Sequence, residues 1–121
     1  MASVLLIDDS KTVRQYNKFI LAAEGYGVDE AENGMEALEK VLDKQYDLFV
    51  IDINMPVMDG YTFLEEIRKN PDYQNIPMIM VSTEADDIDR INAYKAGADL
   101  YYIKPVKQEE LLLSASILTA Q

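Results

Sequence analysis

Short, almost wholly apolar runs recur along the chain, separated by stretches of mixed polarity about ten to fifteen residues long. The clearest are Val4-Leu5-Leu6-Ile7, Leu48-Phe49-Val50-Ile51, Met78-Ile79-Met80-Val81 and Tyr101-Tyr102-Ile103. Runs this short, apolar throughout rather than alternating, predict strands buried on both faces. Their alternation with helix-length segments predicts repeated βαβ units, an α/β fold in which helices cover both faces of a parallel sheet. Each run ends on a residue able to handle phosphate or metal: Asp8-Asp9, Asp52, Ser82 and Lys104. Parallel strands deliver their carboxyl ends to one edge, where open α/β sheets bind ligands.

The intervening segments carry helix signals. Val13, Tyr16, Ile20 and Ala23 recur at spacings of three and four, predicting one apolar helix face that ends near Gly25. A weaker strand is expected over 27–31. Asn33 followed by Glu36 resembles a capping box and predicts a helix over 34–43. The next strand should cover 47–52, and Pro56 and Gly60 punctuate the loop after it, with Asp59 capping a helix over 60–70. Pro71 and Pro77 bound a loop before a strand at 78–82. A helix over 86–96 stopped by Gly97, a strand at 100–103 and a last helix over 108–120 complete the pattern.

Length changes little in this picture: 121 residues make one domain, 1–121, with a self-sufficient core. The absence of cysteine and histidine is more telling, because it removes disulfides, thiolate metal sites and any phosphohistidine on this chain. No apolar run reaches the roughly 20 residues of a membrane span, and the start lacks a signal peptide's pattern, so a cytoplasmic protein is expected. Lys plus Arg number 11 and Asp plus Glu 22, a formal charge of −11. Nucleic acids and anionic membranes meet repulsion, whereas cations and basic protein surfaces are favoured. Met55, Met58, Met78 and Met80 read as packing, and Glu84, Asp86, Asp87 and Asp89 as a helix start favoured by its dipole.

At the common edge, Asp8, Asp9 and Asp52 would gather a formal −3. Like charges a few ångströms apart repel by roughly 4 kcal/mol per pair at an effective dielectric of about 20. Lys104 supplies +1 and a divalent cation +2, which brings the sum to zero before phosphate arrives. Oxygen ligands alone point to Mg²⁺, with Mn²⁺ as a substitute. A neutralised carboxylate can attack a phosphoryl group to give an aspartyl phosphate. Asp52, alone at the end of the most apolar strand, is the best nucleophile, with Lys104 and Ser82 on the phosphoryl oxygens.

Taken singly, these residues have ordinary readings: a strand-end Asp caps or turns, a Ser caps, and a Tyr fills a half-buried strand. Their joint order is specific. Asp8-Asp9, Asp52-Ile53-Asn54-Met55-Pro56-Val57-Met58-Asp59-Gly60, Val81-Ser82, Ala96-Gly97-Ala98-Asp99 and Lys104-Pro105 together resemble the receiver domain of bacterial two-component response regulators, in the single-domain CheY-like style.

The resemblance implies a flavodoxin-like, CheY-like doubly wound fold of five strands in the order 2-1-3-4-5 with five helices. It makes Asp52 the phosphoacceptor, Asp9 a direct Mg²⁺ ligand, Asp8 a ligand largely through water, and Asn54 a ligand through its carbonyl. Ser82 becomes the switch hydroxyl, Tyr101 the aromatic switch, and Lys104-Pro105 a cis peptide. A histidine kinase would donate the phosphoryl group, and the fourth helix, fifth strand and fifth helix would form the output face toward a protein partner. The chain would then catalyse only its own phosphorylation and dephosphorylation, as a monomer with dimerisation on phosphorylation an alternative. Tyr102 departs from the family's usual aliphatic residue, and Ser82 replaces the commoner Thr.

Several functions compete. A stand-alone chemotaxis-like regulator, a phosphorelay carrier and a receiver cut from a larger regulator share the same chemistry. A dehalogenase-like phosphatase usually has a second Asp two residues after its nucleophile, where this chain has Asn54. An FMN-binding domain would find its phosphate repelled by Asp8-Asp9, and a receiver that only binds, without phosphorylation, would not need Asp52, Ser82 and Lys104 together.

Overall fold

Alternation along the strands divides the apolar residues between two cores. In the computed structural model, which describes residues 1–120, the elements are β1 (Ser3–Ile7), α1 (Lys11–Ala23), β2 (Gly27–Ala31), α2 (Gly34–Asp43), β3 (Leu48–Asp52), α3 (Gly60–Arg68), a 3₁₀ turn (Pro71–Tyr73), β4 (Met78–Ser82), α4 (Asp87–Ala96), β5 (Leu100–Ile103) and α5 (Gln108–Thr119). Gln121, the last residue of the expected domain, lies outside the described residues. The strands form one parallel sheet in the order β2-β1-β3-β4-β5. This is the doubly wound fold expected from the sequence.

On one face Leu5, Ile7, Phe49, Ile51, Met78 and Met80 pack beneath α2, α3 and α4. On the other Val4, Leu6, Leu48, Val50, Ile79 and Val81 pack against α1 and α5. Every residue of β3 and β4 is buried, which explains why these two runs are apolar throughout. Tyr101 and Tyr102, adjacent in β5, separate by the same period of two: Tyr101 joins the α2-α3-α4 core and Tyr102 packs on the α1-α5 side.

Local signals fix the helix ends. The Asn33 side chain accepts from Glu36 N at 2.9 Å and that of Asp59 from Thr62 N at 2.8 Å. Only half of the expected capping box forms, because the Glu36 carboxylate turns to Lys40, 3.6 Å away. Gly25 and Gly97 end α1 and α4 at φ 95° and 118°, values a side chain resists. Among the described residues no helix is long and apolar enough to cross a membrane.

One expected face is wrong. Tyr16 is 55% exposed, and Ala23 is exposed too, whereas Arg14 and Leu21 are buried. The buried stripe of α1 runs through Arg14, Ile20 and Leu21, rotated by about one residue from the apolar periodicity. The rotation follows from a polar demand, since Arg14 Nη1 donates to the carbonyl of Asp8 at 2.6 Å.

Gly60 opens α3 directly behind the end of β3. A Cβ there would lie 2.9 Å from Ile53 Cα and 3.0 Å from the Asp52 carbonyl oxygen, both backbone atoms that cannot swing aside. Gly60→Ala is therefore expected to destabilise the domain by about 1–3 kcal/mol, read as a lower urea midpoint at unchanged m-value. An unchanged midpoint would show that the loop relaxes freely.

Candidate functional site

The sheet register sets the site. Ile7 pairs with Ile51, so Asp8 and Asp52 follow side by side; Asp52 pairs with Val81, one residue before Ser82; and Ser82 pairs with Ile103, one before Lys104. Ladder bonds continue past the strand ends, from Ile53 N to Val81 O at 2.9 Å and from Lys104 N to Ser82 O at 2.8 Å. Residues nearly a hundred positions apart thus meet over four strands.

Carboxylate oxygens of Asp8, Asp9 and Asp52 all lie within 4.8 Å of one another. Lys104 Nζ donates to Asp8 Oδ2 at 2.9 Å and stands 3.1 Å from Asp52 Oδ2. Asp8 is further committed, because its Oδ1 accepts from Ser10 N at 2.8 Å. Asp9 is exposed and makes no hydrogen bond or ion pair among the described residues. The second oxygen of Asp52 accepts from Asn54 N at 3.1 Å.

Burial drives the Asp52 carboxyl above its ordinary pKa; the nearby Lys104 ammonium pulls it down and the Asp8 charge pushes it up again. Burial alone would depress Lys104, but its bonds to Asp8 and Asp52 outweigh that and hold the ammonium above its ordinary value. The cluster therefore keeps its cation while its central carboxylate remains poorly compensated. Three oxygen donors, no sulfur or imidazole, and a formal −3 against +1 suit a hard divalent cation. The residues present fit such an ion: Asp8, Asp9 and Asp52 through carboxylates, with the Asn54 carbonyl beside them in sequence.

Ser82 is 1% exposed, and its Oγ accepts from Asn54 Nδ2 at 3.2 Å and from Glu84 N at 3.0 Å. Tyr101 is buried, donates its hydroxyl to the Glu84 carbonyl at 2.5 Å, and carries the Arg90 guanidinium 5.6 Å from its ring centroid. Tyr102 instead shares a hydrogen bond with Ser114 on α5. The Lys104–Pro105 peptide is cis.

The structure thus gathers Asp8, Asp9, Asp52, Asn54, Ser82 and Lys104 and sets Tyr101 two hydrogen bonds from Ser82, by way of Glu84. Residues 4–116 match the family model described as the response regulator receiver domain, and the chain belongs to that family. It is 35% identical over 115 residues to the transcriptional regulatory protein ResD of Bacillus subtilis, covering 95% of this chain and 47% of that protein. It is 41% identical over 110 residues to the sensor histidine kinase CheAY of Helicobacter pylori, covering 89% of this chain and 14% of that one. Its backbone superposes on the chemotaxis protein CheY4 of Vibrio cholerae with a TM-score of 0.92 at 35% identity, covering 98% of both chains. The chain spans at most about half the length of these two curated relatives. Receiver domains in general are phosphorylation switches that use Mg²⁺, not enzymes acting on a separate substrate.

Sequence reasoning missed Arg14 and Glu30. Buried Arg14 donates to the Asp8 carbonyl and, through Nε, to Glu30 Oε1 at 3.2 Å, tying α1 and the edge strand β2 to the loop that carries the acidic pair. The available signal was weak: Arg14, Asn17 and Leu21 share a stripe as regular as the apolar one beside it. Arg14→Met leaves the buried Asp8 carbonyl unmatched and Glu30 with Lys18 alone as its ion-pair partner among the described residues, an expected loss of about 1–3 kcal/mol in urea unfolding. Arg14→Lys should recover only part of it, since one ammonium lacks the fork that reaches both partners. Full recovery by Lys would mean that charge alone matters there.

Proposed function

We propose that this chain is a signalling switch in which Asp52 accepts a phosphoryl group from a phosphohistidine of a partner histidine kinase. The observation that carries this reading is the convergence of Asp52, Lys104 and Ser82 from three strand ends beside the Asp8-Asp9 pair. An oxygen of the Asp52 carboxylate attacks phosphorus, the N–P bond breaks, and the imidazole leaves as the neutral ring after taking up a proton. Mg²⁺ bound at the acidic cluster would supply positive charge for the transferring oxygens. Lys104 releases Asp52 and takes one phosphoryl oxygen, while Asp8 retains its hold on the ammonium. Ser82, freed from Asn54 and Glu84, turns its hydroxyl to another.

That movement gives the phosphoryl group a reason to favour one conformation over another, as any switch requires. Ser82 and Tyr101 both bond to Glu84, so a shift of Ser82 disturbs the support of Tyr101 and, through Arg90, of α4. Ile88, Ile91 and Tyr94 on α4, Ile103 on β5, and Leu113 and Ile117 on α5 are exposed apolar residues that suit an output face. Asp86, Asp87 and Asp89 at the start of α4 favour a basic partner over nucleic acid. The protein works as a cytoplasmic monomer that contacts its output partner directly, in a chemotaxis-like role; a phosphorelay carrier would use the same acceptor. A phosphatase role finds no support at Asn54, whose amide is bound to Ser82.

With acetyl phosphate and Mg²⁺, the wild-type protein is expected to gain a hydroxylamine-labile phosphate, seen by intact mass. Asp52→Asn is expected to gain none, and chelation should abolish the gain in wild type. Equal labelling of Asp52→Asn and wild type would move the acceptor elsewhere.

A further inference from the structure

Beside the carboxylate cluster, the α1-α5 side of the sheet is not completely filled. A cavity of about 260 Å³ opens there, lined by Leu6, Val50 and Val81 from three neighbouring strands, Val13 of α1, and Pro105 and Val106 in the loop after β5. Asp8, Asp52 and Lys104 border the same space. Its wall is apolar over most of its extent and ionic at one end.

An apolar cavity of about 150 Å³ is enough to bind benzene, so this one has room for a six-membered ring with a short arm. The ionic end selects the arm. Arg14, which also borders the cavity, shares Glu30 with Lys18, so the carboxylates of Asp8, Asp9, Asp52 and Glu30 stand against the cations of Arg14, Lys18 and Lys104, a formal −1. A cationic group there is attracted to Asp8 and Asp52, whereas an anionic group meets net negative charge even beside Lys104.

We propose that this cavity is a binding site for a compact aromatic or cyclic molecule carrying one amine or amidine group. The ring lies against Leu6, Val50 and Val81, and the cation meets Asp8 and Asp52. The site needs only the cavity and the carboxylates, and it stands whether or not Asp52 accepts phosphate. Because it shares two carboxylates with the candidate cation site, ligand and divalent ion weaken each other by the same factor.

Benzylamine is a suitable probe, with benzyl alcohol and benzoate as its neutral and anionic counterparts. Followed by amide shifts of the ¹⁵N-labelled protein, benzylamine is expected to saturate with a Kd of about 1 mM. Benzyl alcohol should bind at least about tenfold more weakly and benzoate not measurably, with shifts centred on Leu6, Val13, Val50 and Val106. Val13→Phe and Val106→Phe fill the space from half-buried positions outside the carboxylate cluster. Each should weaken benzylamine at least about tenfold while preserving the folded spectrum. In protein shown by titration to bind Mg²⁺, saturating Mg²⁺ should raise the benzylamine Kd. Equal binding of the three probes, undiminished binding in the folded Phe variants, or indifference to bound Mg²⁺ would overturn the proposal.

Discussion

Folding drives three carboxylates to one sheet edge against their mutual repulsion, and a single ammonium offsets it. Charges separated by the 4.8 Å that bounds this cluster repel by about 3 kcal/mol per pair at an effective dielectric of about 20. Lys104 bridges Asp8 and Asp52, and Asp9 has no partner among the described residues. The strain is borne by strands that have no other place to go, because β3 and β4 are wholly buried and their register is set by the cores on both faces. Hydrophobic burial thus imposes a charge arrangement that a divalent cation, and then a phosphoryl group, can complete.

The parts around the cluster make sense as supports for that arrangement. Arg14 and Glu30 anchor the loop of Asp8 and Asp9 from behind. Gly60 lets α3 begin against the backbone of Asp52 and Ile53. Ser82 is held between Asn54 and Glu84, and Glu84 also receives the Tyr101 hydroxyl, so two hydrogen bonds link Ser82 to Tyr101, whose ring meets Arg90 of α4.

The strands and site were largely legible in the sequence for one reason: a strand buried on both faces must be apolar from end to end, so its polar terminus stands out. Asp52, Ser82 and Lys104 each follow such a run. The helix face of α1 was less legible, since two adjacent stripes fit the same period and the one containing Arg14 looks like surface. Its hydrogen bond to the Asp8 carbonyl and its ion pair with Glu30 make burial favourable, and neither partner is visible in the stripe itself. The two tyrosines of β5 present the same limit, because period two assigns them to opposite faces without saying which face holds Glu84. The capping box at Asn33 was half read, for the competing ion pair of Glu36 with Lys40 is one of two local choices with similar energies.

Thermal unfolding of wild type and Asp9→Asn, each with and without Mg²⁺, tests the charge imbalance most directly. Among the described residues Asp9 makes no bond whose loss could confuse the result. Wild type is expected to melt higher with Mg²⁺, while Asp9→Asn melts at or above metal-free wild type and gains little from the ion. A metal-free Asp9→Asn that melts below wild type, or one that gains as much from Mg²⁺, would contradict a cluster held together against its own charge and relieved by a cation.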